Sequence, residues 1–169
     1  MRPSPEVTLV FVGEAMLERL LELAQQDAAA DDVTPPLGNG PGWNTERRAW
    51  FRAYHRAAAA GLDGPAGEKS WAVLCDGRPA GSVRLKRTAG ATAETGIWLG
   101  RSFRGSGVAT VALGLVLAEA RRAGLSHVVA STTEGNLGAQ RILTAAGAHL
   151  THDDGGNVSA AVVLPTGSH

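Results

Sequence analysis

The chain has a single cysteine, Cys75, in 169 residues, so no disulfide can close within it and neither a disulfide scaffold nor a cysteine-based zinc site is available. A reducing compartment is the expectation. Net charge is missing too: 16 Lys plus Arg offset 16 Asp plus Glu, leaving no overall field to gather nucleic acid or an anionic membrane. No run approaches the ~20 apolar residues of a membrane span. The nearest, Ala109 to Ala118, is broken by Thr110 and Gly114 and stops at Glu119. The opening MRPSPE has no features of a cleavable signal. Together these absences predict a soluble cytoplasmic protein with neither nucleic acid nor membrane as partner. Aromatic residues are only 5%, with Tyr54 the sole tyrosine.

What is present is glycine, 22 residues of it, and a regular alternation of strand and helix patterns in a length that suits one domain. Val7 to Val12 reads as a strand. Glu14 to Ala24 reads as a helix whose Leu17, Leu20, Leu21 and Ala24 share a face. Residues 27 to 44 carry Asp27, Asp31, Asp32, three prolines and several glycines, a loop long enough to imply a purpose. A second helix starts at an Asn44 or Thr45 cap and runs towards Gly61. Strands follow at about 70–75, 78–87 and 93–99, the first two joined by Asp76-Gly77, the signal of a type I′ hairpin. Gly105 to Ala123 reads as a largely buried helix, 126–131 as a strand and 136–146 as a helix, with Gly124 and Gly147 placed to end the two helices. A last hairpin joins 148–152 to 158–164. The predicted class is α+β (mixed α/β), one domain over 1–165, with 166–169 a tail that looks like an expression remnant.

The segment Leu99-Gly100-Arg101-Ser102-Phe103-Arg104-Gly105-Ser106-Gly107-Val108-Ala109-Thr110 runs from a strand end through a glycine turn into a helix. Glycines permit close approach, and the first helical amides lack internal acceptors, so such an end attracts phosphate. It is not a P-loop, because Ser106 and Gly107 follow Gly105 where Lys and Ser or Thr are required. Nor is it a Rossmann turn, since Thr110 replaces the third glycine and Ala130 stands near the acidic position. Arg104, Gly107 and Ala109 do match the pattern Gln/Arg-x-x-Gly-x-Gly/Ala, and Asn136, Ala139, Ile142, Leu143 and Gly147 match a second pattern downstream, with Ala148 where Phe is usual. By these two motifs the chain resembles the GNAT family of acyl-coenzyme A dependent N-acetyltransferases. Glu94 to Leu99 resembles its branch of ribosomal-protein alanine acetyltransferases and related small-molecule enzymes.

The resemblance implies a central, mostly antiparallel, splayed sheet flanked by helices, with acetyl-CoA as co-substrate and no metal. It implies that backbone amides from Arg104 through Gly105, Ser106, Gly107 and Val108 to Ala109, with the Thr110 hydroxyl, hold the pyrophosphate. The pantetheine arm would pair with the strand edge near Leu99 and Arg101, an amide near Trp98 or Leu99 would serve as oxyanion donor, and Asn136 would border the sulfur. The acceptor would be a primary amine, on a small molecule or at a protein N-terminus, attacking directly in a ternary complex. A homodimer through an edge strand is compatible with such folds. An amine near the ~10.4 lysine reference must lose a proton, and Glu94 is the first candidate base, with His55 or water held by Ser131 or Thr133 next. The family's tyrosine acid position is Leu143 here, which leaves Ser131, its threonine neighbours or no acid at all. That departure keeps a non-catalytic acyl-CoA binding domain as the alternative. Arg48, Arg52 and Arg56 share a helix face as either an anion-seeking stripe or a solvated one; Asp27, Asp31 and Asp32 either attract a cationic amine or are merely solvated.

Overall fold

A computed structural model describes residues 4–165, so residues 1–3 and the tail at 166–169 lie outside the description. Its centre is one seven-stranded sheet in the order β1-β2-β3-β4-β5-β7-β6. The strands are β1 (Val7–Phe11), β2 (Glu68–Cys75), β3 (Arg78–Arg87), β4 (Thr92–Leu99), β5 (His127–Thr133), β6 (His149–His152) and β7 (Asn157–Val163). Every neighbouring pair is antiparallel except β4 with β5. Asp76 and Gly77, at φ 51° and 80°, make the expected primed turn between β2 and β3.

Among the described residues there are five α-helices, α1 (Glu14–Asp27), α2 (Ala30–Val33), α3 (Thr45–Ala58), α4 (Val108–Arg122) and α5 (Leu137–Ala145). On one face, Leu17, Leu20, Leu21 and Ala24 of α1 and Phe51 of α3 pack with Ala72 of β2. On the other, Val108, Ala112, Leu113 and Val116 of α4 and Leu143 of α5 pack with Val73, Val83 and Leu85. Alternation along β4 sends Trp98 to the first face and Leu99 to the second. Leu143 is buried in this core, so the family's tyrosine position has become a packing position.

The segment from 27 to 44, expected as a loop, holds a helix of its own, α2. It is pinned by Arg47, whose side chain is only 1% exposed. The guanidinium donates to Asp31 at 2.8 Å, to the Thr34 hydroxyl at 3.4 Å and to the Leu37 carbonyl at 3.4 Å. A buried charge persists only when its donors are satisfied, so this arginine and the loop define one another. Asn44 caps α3 by accepting from the Arg47 amide at 2.8 Å, and its own amide donates to Leu37.

The arginine stripe resolves into helix-to-helix ion pairing. Arg52 forks onto Glu18 and Arg56 onto Glu14, both of α1, while Arg48 reaches Thr45. Hydrogen bonding from those arginines holds the Glu14 and Glu18 carboxyls below their ordinary pKa. Cys75 is buried at the end of β2.

Candidate active site

β4 and β5 are joined only at Thr92–His127, Ala93–Val128 and Glu94–Val129. Beyond Glu94 they part, because β5 continues its ladder with β7 while β4 stays with β3. The Gly100 amide donates to Ala80 of β3, so by alternation the backbone groups of Ile97 and Leu99 face the gap and those of Trp98 face β3. The strand-edge amides open to the gap are therefore those of Ile97 and Leu99, whereas Trp98, expected beside Leu99, presents its side chain instead.

The helix after the glycine turn, expected from Gly105, begins later. Arg101–Phe103 form a 3₁₀ turn, Gly105 and Gly107 take φ of 78° and 84°, and α4 starts only at Val108. Left-handed backbone at both glycines is what reverses the chain here. The first intrahelical bond runs from the Val111 amide to the Gly107 carbonyl, which leaves the Val108, Ala109 and Thr110 amides without acceptors in the helix. Arg104 folds back, its Nε and Nη2 donating to the Leu99 carbonyl at 3.2 and 3.1 Å.

Gap and turn together form a cavity of about 670 Å³. Of the residues expected at the coenzyme, Trp98, Leu99, Arg104, Gly105, Gly107, Ala109, Thr110 and Asn136 line it. Three others do not. Arg101 lies in the exposed 3₁₀ turn, the Ser106 hydroxyl donates to Phe103, and the Val108 side chain is buried in the core, leaving only its amide for a ligand. Asn136 also caps α5 by accepting from the Ala139 amide at 3.0 Å, which explains its place at this helix start. Gly138 and Arg141 of α5 complete the wall. Arg141 carries no motif; only the helix periodicity from Asn136 points to it.

On the other face of β4 is a second cavity, of about 340 Å³, walled by Trp50, Phe51, Tyr54 and His55 of α3, by Asp31, Asp32 and Thr34, and by Ser82, Arg84 and Gly96 of the sheet. The two cavities share Asp32, Ile97 and Trp98. His55 is hydrogen-bonded to the Ser70 hydroxyl at 2.8 Å, and burial pushes its pKa down to about 4, so the ring is neutral at physiological pH and a weak base. Tyr54 donates to Glu68 at 2.7 Å, and burial followed by that bond pushes its pKa far upward. Glu94 projects on the α3 side of the sheet, bound to Arg84 at 2.7 Å and 43% exposed. Arg84, also 3.7 Å from Glu68, lines the second cavity, while Glu94 lines neither. Ser131 faces Ser159 across the β5–β7 ladder, is exposed, and likewise lines neither cavity.

The three loop aspartates have separate duties. Asp27 accepts from the Ser102 amide at 3.0 Å, fastening the end of α1 to the turn. Asp31 pairs with Arg47, and Asp32 reaches both cavities.

Residues 7–149 match the family model described as the Acetyltransferase (GNAT) domain. The chain belongs to the GNAT acetyltransferase family. As a GNAT protein it is an acyl-CoA dependent N-acetyltransferase with acetyl-CoA as co-substrate. A search of curated proteins finds no significant match. Among solved structures, the GNAT domain of S. lividans PAT is 19% identical, with 95% of this chain and 90% of that one covered and a TM-score of 0.70. RimL, a ribosomal alpha-N-protein acetyltransferase in complex with coenzyme A, is 15% identical over 95% of this chain and 96% of its own, with a TM-score of 0.72. The microcin self-immunity acetyltransferase MccE, in complex with acetyl-CoA and AMP, is 18% identical over 94% and 92%, with a TM-score of 0.70. These likenesses concern the GNAT fold. Among the described residues no helix is long and apolar enough to cross a membrane, and no cluster of three or more His, Cys, Asp or Glu could hold a metal ion.

Proposed function

We propose that this GNAT protein transfers acetyl from acetyl-CoA directly to a primary amine, the coenzyme entering by the larger cavity and the amine by the smaller. The observation that carries this reading is that the two cavities approach β4 from opposite faces and converge at Ile97 and Trp98, where the strand edge is unpaired. The Val108 to Thr110 amides receive the pyrophosphate at the positive end of α4, with Arg104 and Arg141 adding charge. The pantetheine arm follows the open edge of β4, taking the carbonyl of Leu99 from Arg104. An Ile97 or Leu99 N–H then donates to the thioester oxygen and stabilises the charge that develops there.

The amine nitrogen attacks the thioester carbon, a C–N bond forms, and the tetrahedral intermediate expels the thiolate as the C–S bond breaks. The amine's proton leaves through water towards Glu94, which lies outside the cavity but is bound to Arg84 of its wall at 2.7 Å. A thiol with a reference pKa of ~8.5 departs as thiolate without an acid, so a leucine at position 143 is no obstacle and Ser131 is not required. The buried single cysteine fits a reducing, cytoplasmic setting.

Thiol release from acetyl-CoA with a panel of primary amines tests the reading, alongside calorimetry with coenzyme A. Amine-dependent release is expected. Tight coenzyme binding with no release under any amine would leave a non-catalytic acyl-CoA binding domain.

A further inference from the structure

The sequence has eight aromatic residues, four Trp, three Phe and one Tyr, and four of them (Trp50, Phe51, Tyr54 and Trp98) line the single 340 Å³ cavity assigned to the acceptor. Trp50 and Tyr54 stack with centroids 5.2 Å apart at 9°, and Phe51 meets Trp98 edge-on at 6.4 Å. The charges at this cavity are unequally committed. Arg84, the one Lys or Arg among the described residues lining the cavity, is matched by Glu94 at 2.7 Å and Glu68 at 3.7 Å, which disfavours an anionic substrate. Asp31 is held by Arg47 at 2.8 Å. Asp32, 52% exposed, has only a 3.6 Å approach from Arg104, which is itself bonded to the Leu99 carbonyl. That carboxylate stands at the junction of the two cavities, where the nucleophilic nitrogen has to arrive.

We infer that the acceptor is a small primary amine joined by a short chain to an aromatic ring, its ammonium bound by Asp32 and its ring packed among Trp50, Tyr54 and Trp98. This rests on the transfer reading above for the direction from which the amine enters. Ring faces attract a cation and stack on a flat partner, while the carboxylate orients the charged end towards Ile97. The volume is at the low end for small-molecule sites and suits one ring with its side chain.

The test is calorimetry on the full chain without coenzyme, using 2-phenylethylamine, butylamine, 2-phenylethanol and 3-phenylpropionate. We expect 2-phenylethylamine to bind roughly tenfold or more tighter than each of the others. Asp32→Asn should bring it down to the level of 2-phenylethanol, and Trp50→Ala to that of butylamine. The ranking in the wild-type protein stands even if a variant fails to fold. Equal or tighter binding of butylamine or 3-phenylpropionate, absence of 2-phenylethylamine binding, or a folded Asp32→Asn that binds it unchanged would each overturn the inference. Thiol-release assays separate this from the transfer reading: bound 2-phenylethylamine that is never acetylated defeats transfer, whereas acetylation of a peptide N-terminus without 2-phenylethylamine binding defeats the aromatic-amine assignment.

Discussion

The two sides of β4 are built from different materials. The side proposed for the coenzyme is largely backbone and small residues: an open strand edge, two left-handed glycines and the bare amides of α4. The side proposed for the acceptor is side chains, drawn from α3, from the loop around α2 and from β3 and β4. A site made of backbone requires particular residues at fixed local spacing and so leaves a motif. A site made of converging side chains leaves none, and it can change its ligand without disturbing the other half.

The largest expected effect comes from Gly107→Val. At φ 84° a β-branched residue is strained, and its side chain would project into the open space where a phosphate approaches. Coenzyme A affinity should fall by roughly two orders of magnitude or more in calorimetry while amine binding on the far side persists. Loss of both would mean that the two sides are not independent.

Glu94→Gln comes next and tests the seam between them. Turnover should fall by about 10² to 10⁴ with acetyl-CoA affinity near wild type, and the deficit should shrink between pH 7 and pH 9 as more amine is already deprotonated. A variant that turns over normally across that range makes Glu94 a partner for Arg84 alone.

Arg47→Ala should loosen the acceptor side only. Losing a buried guanidinium with three acceptors is expected to cost about 2–5 kcal/mol in chemical denaturation, and the amine KM should rise more than the acetyl-CoA KM.

A smaller, pH-dependent effect belongs to His55. Its pKa is about 4 in the folded chain against ~6.5 unfolded, so between those values the unfolded state binds the extra proton. Stability should therefore be full above pH 6.5 and decline as pH falls towards 4, by about 2–3 kcal/mol for this group. Denaturant titrations at pH 7 and pH 4.5 read the decline, and His55→Gln should flatten it.

Arg52→Ala with Arg56→Ala should do least. Both pairs with α1 are solvent-exposed, so coenzyme and amine affinities should stay at wild-type values, and a specific loss of amine binding would restore the stripe as a substrate contact.

Local rules decided a great deal from the sequence by itself. The helix faces of α1 and α5, the Asp76-Gly77 turn, the Asn44 cap and the glycines before α4 follow from periodicity, turn chemistry and the need for φ above zero, all short-range. The two GNAT motifs were legible for the same reason. Tertiary structure alone decided the pairing of Arg47 with Asp31 across 16 positions, the separate tasks of Asp27, Asp31 and Asp32, the gathering of scarce aromatic rings around one cavity, and the meeting of both cavities at Ile97 and Trp98. Those contacts depend on how α3 and the loop before it settle on the sheet. Their energy comes from burial and from satisfying charge at a distance, for which no residue spacing along the chain provides a signature.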